Sequence, residues 1–425
     1  MQSRRDQVQA QSYVLGRLNS ALVAGEPDGL ENPSRRTITG AVSGILVAAI
    51  VVVGFAAYGF FKPGGSSSWR QPGVLIVEKE TGSRYLYVQD RLWPVLNYTS
   101  IRMRLGADPK VVSVSAKSLS GVPHGQPYGI VGAPETLPKA GALAGVPWTV
   151  CQRGQLVTAE IGPSAGVPAG PDEAMTVSSN GDTYLLIGGY RRRIADDRIA
   201  RALGFDQDPV PVAASWLDLV PAGPQIAVPA PAGRLYVAKV AGSPDRYYVQ
   251  VADGLSPLTA TGFAIMSSSA ADAPTEIGPG EVAQMPLSKS GAYFADLPAT
   301  LPRAVQDRNA WCAQWLPGGG FALVGGDPAI GPSDVVRDAP GISRTTRTAA
   351  AVHVAAGAGG LVRAARAGDA PGGSYYLLTD AGVKYPLAGA GVATALGYAP
   401  AAAAGIPPEL LDVLPTGPVL DPAAI

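Results

Sequence analysis

Met175-Thr176-Val177-Ser178-Ser179-Asn180-Gly181-Asp182-Thr183-Tyr184-Leu185-Leu186-Ile187 is the stretch on which the fold turns. Two β-favouring runs flank Asn-Gly, a pair that accepts the positive φ angles of a tight hairpin turn. The arrangement recurs. Val74-Leu75-Ile76-Val77 meets Tyr85-Leu86-Tyr87-Val88 across Thr81-Gly82-Ser83. Leu235-Tyr236-Val237 precedes Tyr247-Tyr248-Val249-Gln250-Val251, and Leu361-Val362-Arg363 precedes Tyr375-Tyr376-Leu377-Leu378. A short third strand follows each hairpin, ending at Trp93-Pro94-Val95, Arg193-Ile194, Ser256-Pro257-Leu258 and Tyr385-Pro386-Leu387.

A short helix comes next. In three units it has one frame: Ile101-x-x-x-Leu105-Gly106, Ile199-x-x-x-Leu203-Gly204 and Val392-x-x-x-Leu396-Gly397. The i,i+4 apolar pair faces one side, and Gly supplies the left-handed cap. Pro109, Pro209 and Pro400 then block re-entry into the helix. A second helical turn closes each unit at Leu119-x-x-Val122-Pro123-x-Gly125, Leu217-x-x-Val220-Pro221-x-Gly223 and Leu411-x-x-Leu414-Pro415-x-Gly417. The third unit keeps Pro257 and Val282-x-x-Met285-Pro286 but lacks both the Leu-Gly cap and the Pro-x-Gly. The spacing predicts a ββ(β)αα unit of about 50 residues occurring four times, at 73–129, 173–228, 229–287 and 359–425, the last with the C-terminal tail. One such unit buries too little surface to be secure alone, so stacking or a shared centre is expected. Residues 130–172 and 288–358 are expected to join into a central β-rich domain. The whole is an α+β class module.

Ahead of it, residues 37–61 (TITGAVSGILVAAIVVVGFAAYGFF) carry no charge. As a helix they reach about 37 Å, enough to cross a ~30 Å hydrocarbon core. Arg35 and Arg36 close the run on one side, Lys62 on the other. The run is too long and too far from the start for a cleaved signal peptide. Arg4, Arg5, Arg17, Arg35 and Arg36 precede the span, against Lys62 and Arg70 after it. The positive-inside bias therefore predicts a single-pass protein with residues 1–36 cytoplasmic and 62–425 extracytoplasmic. Residues 62–72 read as a linker. Val8, Leu15, Leu18 and Leu22 form one stripe of an N-terminal helix. It is expected to dock on a cytoplasmic partner or the membrane surface, the alternative being a frayed juxtamembrane helix.

The chain has only two Cys and two His among 425 residues. A Cys₂His₂ zinc site would need all four together, and a disulfide-dense scaffold is excluded. Lys+Arg and Asp+Glu both number 33, so no excess charge points to nucleic acid. Gly (53) and Pro (39) supply about 22 % of residues, mostly as turn punctuation. Cys151 and Cys312, each near a Trp, lie on the exported side and read as one disulfide rather than two buried thiols. Closing so long a loop stabilises by up to roughly 5 kcal/mol. It has no Cys-x-x-Cys redox signature.

Chemistry is harder to find. No Lys follows a Gly, so there is no Walker A loop. Gly162-Pro163-Ser164-Ala165-Gly166 matches a nucleophile elbow, but Val167-Pro168-Ala169-Gly170-Pro171 cannot start the helix that motif requires. His124 occupies a position the other units fill with Ala222 or Thr416, and His353 stands alone in an apolar run. Arg191-Arg192-Arg193 reads as neutralised by Asp196 and Asp197. Asn97-Tyr98-Thr99 fits a glycosylation sequon. These residues predict no catalytic, cofactor or metal site.

The pieces together resemble the EccB family, a membrane component of the actinobacterial type VII (ESX) secretion system. The resemblance rests on Ser3-Arg4-Arg5-Asp6-Gln7, Tyr13-Val14-Leu15, Ala21-Leu22-Val23, and above all Arg84-Tyr85-Leu86-Tyr87-Val88 leading to Leu92-Trp93-Pro94-Val95-Leu96-Asn97. The Trp148-x-x-Cys151 and Trp311-Cys312 contexts also fit, as does the preference for Arg over Lys. The resemblance implies an oligomeric inner-membrane scaffold subunit assembling with the EccC ATPase, EccD and EccE. Two other readings stay open: an ATPase with an unrecognised site, and a membrane-tethered cell-wall binding module.

Overall fold

The computed structural model describes residues 4–25, 34–61, 68–140, 147–154, 156–163, 166–230, 233–289, 293–305, 311–316, 320–326, 330–331, 334–366, 369 and 372–425. Two long helices come first, α1 (Arg4–Ala24) and α2 (Ser34–Phe61). Within α2, residues 36–58 are long and apolar enough to cross a bilayer, with mean hydropathy 2.4 and nothing packed over them.

The first unit contains β1 (Val74–Glu78), β2 (Arg84–Val88), β3 (Arg91–Pro94), α3 (Tyr98–Leu105), β4 (Lys110–Val114) and α4 (Ala116–Leu119). After it come β5 (Trp148–Arg153), β6 (Leu156–Ile161) and β7 (Val167–Pro168). The next unit has β8 (Glu173–Ser179), β9 (Asp182–Ile187), β10 (Tyr190–Arg193), α5 (Asp197–Ala202), β11 (Val210–Pro211) and α6 (Ala214–Leu217). Then follow β12 (Leu235–Ala238), β13 (Arg246–Val251), β14 (Gly254–Leu258), α7 (Ala260–Ser267), β15 (Thr275–Ile277) and α8 (Pro279–Gln284). The strands β16 (Arg303–Ala304), β17 (Trp311–Trp315), β18 (Phe321–Gly325) and β19 (Ala351–Val354) lead to the last unit. It holds β20 (Gly360–Ala364), β21 (Tyr375–Leu378), β22 (Lys384–Pro386), α9 (Ala390–Ala395), β23 (Ala404–Ile406) and α10 (Pro408–Leu411).

Four sheets share one strand order: β3-β2-β1-β4, β10-β9-β8-β11, β14-β13-β12-β15 and β22-β21-β20-β23. In each, the first three strands form an antiparallel meander. The fourth pairs parallel with the first, as Val74 with Lys110 or Val362 with Ala404. This fourth strand, lying between the two helices, is absent from the expected ββ(β)αα pattern. It is two to five residues long and owes its conformation to a partner some 35 residues away, so local periodicity cannot announce it.

The Pro-x-Gly ending has a steric origin. Gly125, Gly223 and Gly417 each donate an N–H to the outer strand of their own sheet, at Leu92, Arg191 and Lys384. A Cβ on these glycines would lie 2.7 Å from the Trp93 ring, 3.1 Å from Arg192 Cγ and 2.3 Å from the Tyr385 ring. In the third unit, Ser288 makes the matching bond to Leu255, and the residue after Leu255 is the small Ser256. Glycine is dispensable there because the facing side chain has shrunk. Gly106, Gly204 and Gly397 end their helices at φ of 92°, 88° and 88°, where a Cβ is penalised.

The units pair through their first helices. Met103 of α3 packs with Val392, Leu396 and Tyr398 at α9, joining the first and last units. Ile199 and Leu203 at α5 pack with Ile265 of α7, joining the second and third. Between the pairs stands the six-stranded sheet β19-β6-β5-β17-β18-β7. The largest core runs through it, from Met175, Leu186 and Trp216 on one side to Val362, Leu378 and Leu410 on the other. Along the molecule the order is first unit, last unit, central sheet, second unit, third unit. Residues 293–305 lie on the second and third units, with Leu297 in their shared core and Arg303 pairing beside Glu173.

Candidate functional site

The two inner strands of the central sheet, β5 and β17, are covered on both faces. All of Trp148–Gln152 and Trp311–Gln314 are buried. Trp148, Val150, Trp311 and Ala313 face the main core, and Trp216 Nε1 fastens α6 to this face by donating to the Val150 carbonyl at 2.8 Å. Alternation puts Thr149 and Cys151 on the opposite face. Cys151 lies directly across from Cys312 on neighbouring strands, and the two are joined in a disulfide.

Two residues along the strands from the bridge, on the same face, a polar row crosses four strands: His353, Glu160, Thr149 and Gln314. Gln314 Nε2 donates to Thr149 Oγ1 at 3.0 Å, and His353 Nδ1 lies 3.1 Å from Asp334. Sequence alone left His353 isolated, because Glu160 on the paired strand is remote in the chain and Asp334, 19 residues upstream, reaches it only in the fold. His124 packs its ring against Tyr85 at 5.6 Å.

The Arg run is neutralised, but not by the aspartates next in sequence. Successive strand residues point to opposite faces. Arg191 therefore meets Asp218 at 2.7 Å, Arg192 meets Asp296, and Arg193 meets Asp182 at 2.7 Å. Asp196 instead caps α5 and binds Arg198, which, with the Arg198 backbone N–H, pulls its carboxyl down to about 2. Asn97 is 4 % exposed and caps α3 while donating to the Ile130 carbonyl, so the sequon carries no accessible amide. Gly166 leads into β7 rather than a helix, and Ser164 lies outside the described residues.

Val8, Leu15, Leu18 and Leu22 all sit on α1 and all are exposed. Arg35 and Arg36 begin α2, and Lys62 lies outside the described residues. Among the described residues, no group of three or more His, Cys, Asp or Glu side chains has an arrangement that could hold a metal ion.

Where the second unit, the central sheet and the last unit meet, a cleft of about 640 Å³ opens. Tyr190, Trp315 and Phe321 supply its rings, and the Arg191–Asp218 and Arg366–Glu409 ion pairs stand on its walls. Gly189, at φ 77°, lets the chain pass the Phe321 carbonyl; a Cβ there would come within 2.4 Å of that oxygen. The cleft is not legible in the sequence, since its walls come from five separated stretches of chain.

Among the described residues, one candidate membrane helix followed by a stapled, modular α+β body defines the class of protein. The family described as "Type VII secretion system ESX-1, transport TM domain B" matches residues 1–425. The "ESX-3 secretion system ATPase EccB3" of Mycolicibacterium smegmatis is 28 % identical, over 90 % of this chain and 82 % of that one. The "ESX-1 secretion system ATPase EccB1" of Mycobacterium tuberculosis is 26 % identical, over 97 % and 92 %. A chain of the EccB3 dimer from the ESX-3 core complex superposes with TM-score 0.65 at 26 % identity, over 82 % of this chain and 98 % of that one. A chain of the ESX-5 periplasmic assembly gives TM-score 0.70 at 22 % identity, over 86 % and 97 %, a likeness of fold. The chain belongs to the EccB family of type VII secretion systems.

Proposed function

We propose that this chain is a structural subunit of an ESX inner-membrane secretion complex, its body scaffolding the assembly outside the cytoplasm. The observation that carries this reading is the family match along the entire chain. The likeness to the EccB3 dimer supports oligomeric assembly. The proposed partners are the EccC ATPase, EccD and EccE, with energy supplied by EccC. The relatives carry ATPase in their names, but no Lys of this chain follows a Gly, as a Walker A loop requires. In the proposed layout the N-terminus is cytoplasmic, α2 crosses once, and four units, each now counted with its fourth strand, flank the stapled centre. The exposed stripe of α1 is the proposed cytoplasmic docking face.

Gentle detergent extraction of tagged protein, followed by mass spectrometry, tests this. Recovery of EccC, EccD and EccE is expected; recovery of the chain alone overturns it. Hydrolysis of ATP by the purified chain above a mock preparation, lost on a point substitution, supports the enzyme reading instead. Co-sedimentation with purified peptidoglycan supports a cell-wall binding module. For orientation, Ser66→Cys is expected to react with an impermeant thiol reagent in intact cells. Protection there, with labelling of Ser3→Cys, reverses the topology.

A further inference from the structure

The cleft between the second unit, the central sheet and the last unit has a volume typical of small-ligand sites, and it lies at a junction of structural units, where such sites concentrate. Its rings at Tyr190, Trp315 and Phe321 favour an apolar body. Its polar groups favour a ligand that accepts hydrogen bonds. Asp218 has both oxygens engaged, Oδ1 by Arg191 at 2.7 Å and Oδ2 by Arg347 at 3.5 Å. Glu409 binds Arg366, whose side chain remains 63 % exposed. Each guanidinium presents five N–H donors and spends only part of them on these contacts. Arg347 lies outside the lining, so two guanidiniums and two carboxylates stand on the walls, and the exposed, unspent hydrogen-bonding capacity, above all at Arg366, is for donation.

We propose that this cleft binds an apolar ligand ending in a single carboxylate, with the rings holding the body and Arg366 and Arg191 receiving the anion. Two sources share that chemistry: the C-terminal residue of a polypeptide and a fatty acid. The site extends beyond the scaffold role and does not depend on it.

The test uses the full chain in nanodiscs, with empty nanodiscs as the blank, read by calorimetry and by Trp fluorescence. The probes are N-acetyl-Phe-Phe as the free acid, the same dipeptide as the C-terminal amide, and octanoate. Saturable binding of an acid probe is expected, with the amide at least about tenfold weaker. Arg366→Gln, at an exposed pair that leaves folding intact, is expected to weaken the acid about tenfold and leave the amide unchanged. Glu409→Gln is expected to tighten the acid. Binding of the dipeptide acid alone identifies a polypeptide terminus as the source, and binding of octanoate alone identifies a fatty acid. Equal binding of acid and amide, indifference to Arg366→Gln, or no binding of either acid at millimolar concentration overturns the proposal.

Discussion

Asn97 does three jobs with one side chain. Its Oδ1 accepts from the Ser100 N–H at 3.0 Å and from Ser100 Oγ at 2.7 Å, and its Nδ2 donates to the Ile130 carbonyl at 2.8 Å. Asn97→Ala removes the cap and strands buried polar groups, so a loss of about 2–3 kcal/mol is expected in chemical denaturation. Lys384 shows the opposite balance. It is 7 % exposed, its Nζ is bound to the Leu411 carbonyl, and burial lowers its pKa despite Asp412 at 3.8 Å. A base depressed in the folded state binds fewer protons there than when unfolded. Stability from this group therefore rises with pH between its folded pKa and the ordinary value of 10.5. Subtracting the stability of Lys384→Met from that of the parent, across this window, is expected to give a difference that grows with pH. A flat difference contradicts this account.

At the scale of the element, the closing glycines and the side chains they face form matched pairs. Gly417→Ala drives a methyl into the buried Tyr385 ring and is expected to cost about 1–3 kcal/mol. Ser288→Gly, opposite Ser256, is expected to shift stability by less than about 0.5 kcal/mol. Thermal melts of the two variants check the contrast. The meanders were legible because Asn180-Gly181 and the apolar alternation are local signals. Gly106, Gly204 and Gly397 were legible as helix ends for the same reason. Strands such as Val210–Pro211 were not, because pairing with Val177 and Ser178 alone makes them strands. Nor were the partners of Arg191 and Arg192, since Asp218 and Asp296 reach them only after folding. The cleft was hidden in the same way, its rings coming from β10, β17 and β18.

At the scale of the whole molecule, the Cys151–Cys312 bridge closes a span of 161 residues that contains both the second and third units. Reduction, or Cys151→Ser with Cys312→Ser, is expected to lower stability by up to about 5 kcal/mol. The unfolded, unreduced chain is expected to show no reactive thiol. The spatial order of the units also differs from their order in the chain. The first unit shares its core with the last, where Met103 meets Leu396 and Tyr398 binds the Pro138 carbonyl. A ribosome delivers residue 103 long before residue 396. The first unit must therefore wait, with an apolar helix face uncovered, until the last unit has been made. Assembly of the body is in this sense timed by residues 359–425, and a chain cut short before residue 359 leaves its first unit without the neighbour that completes it.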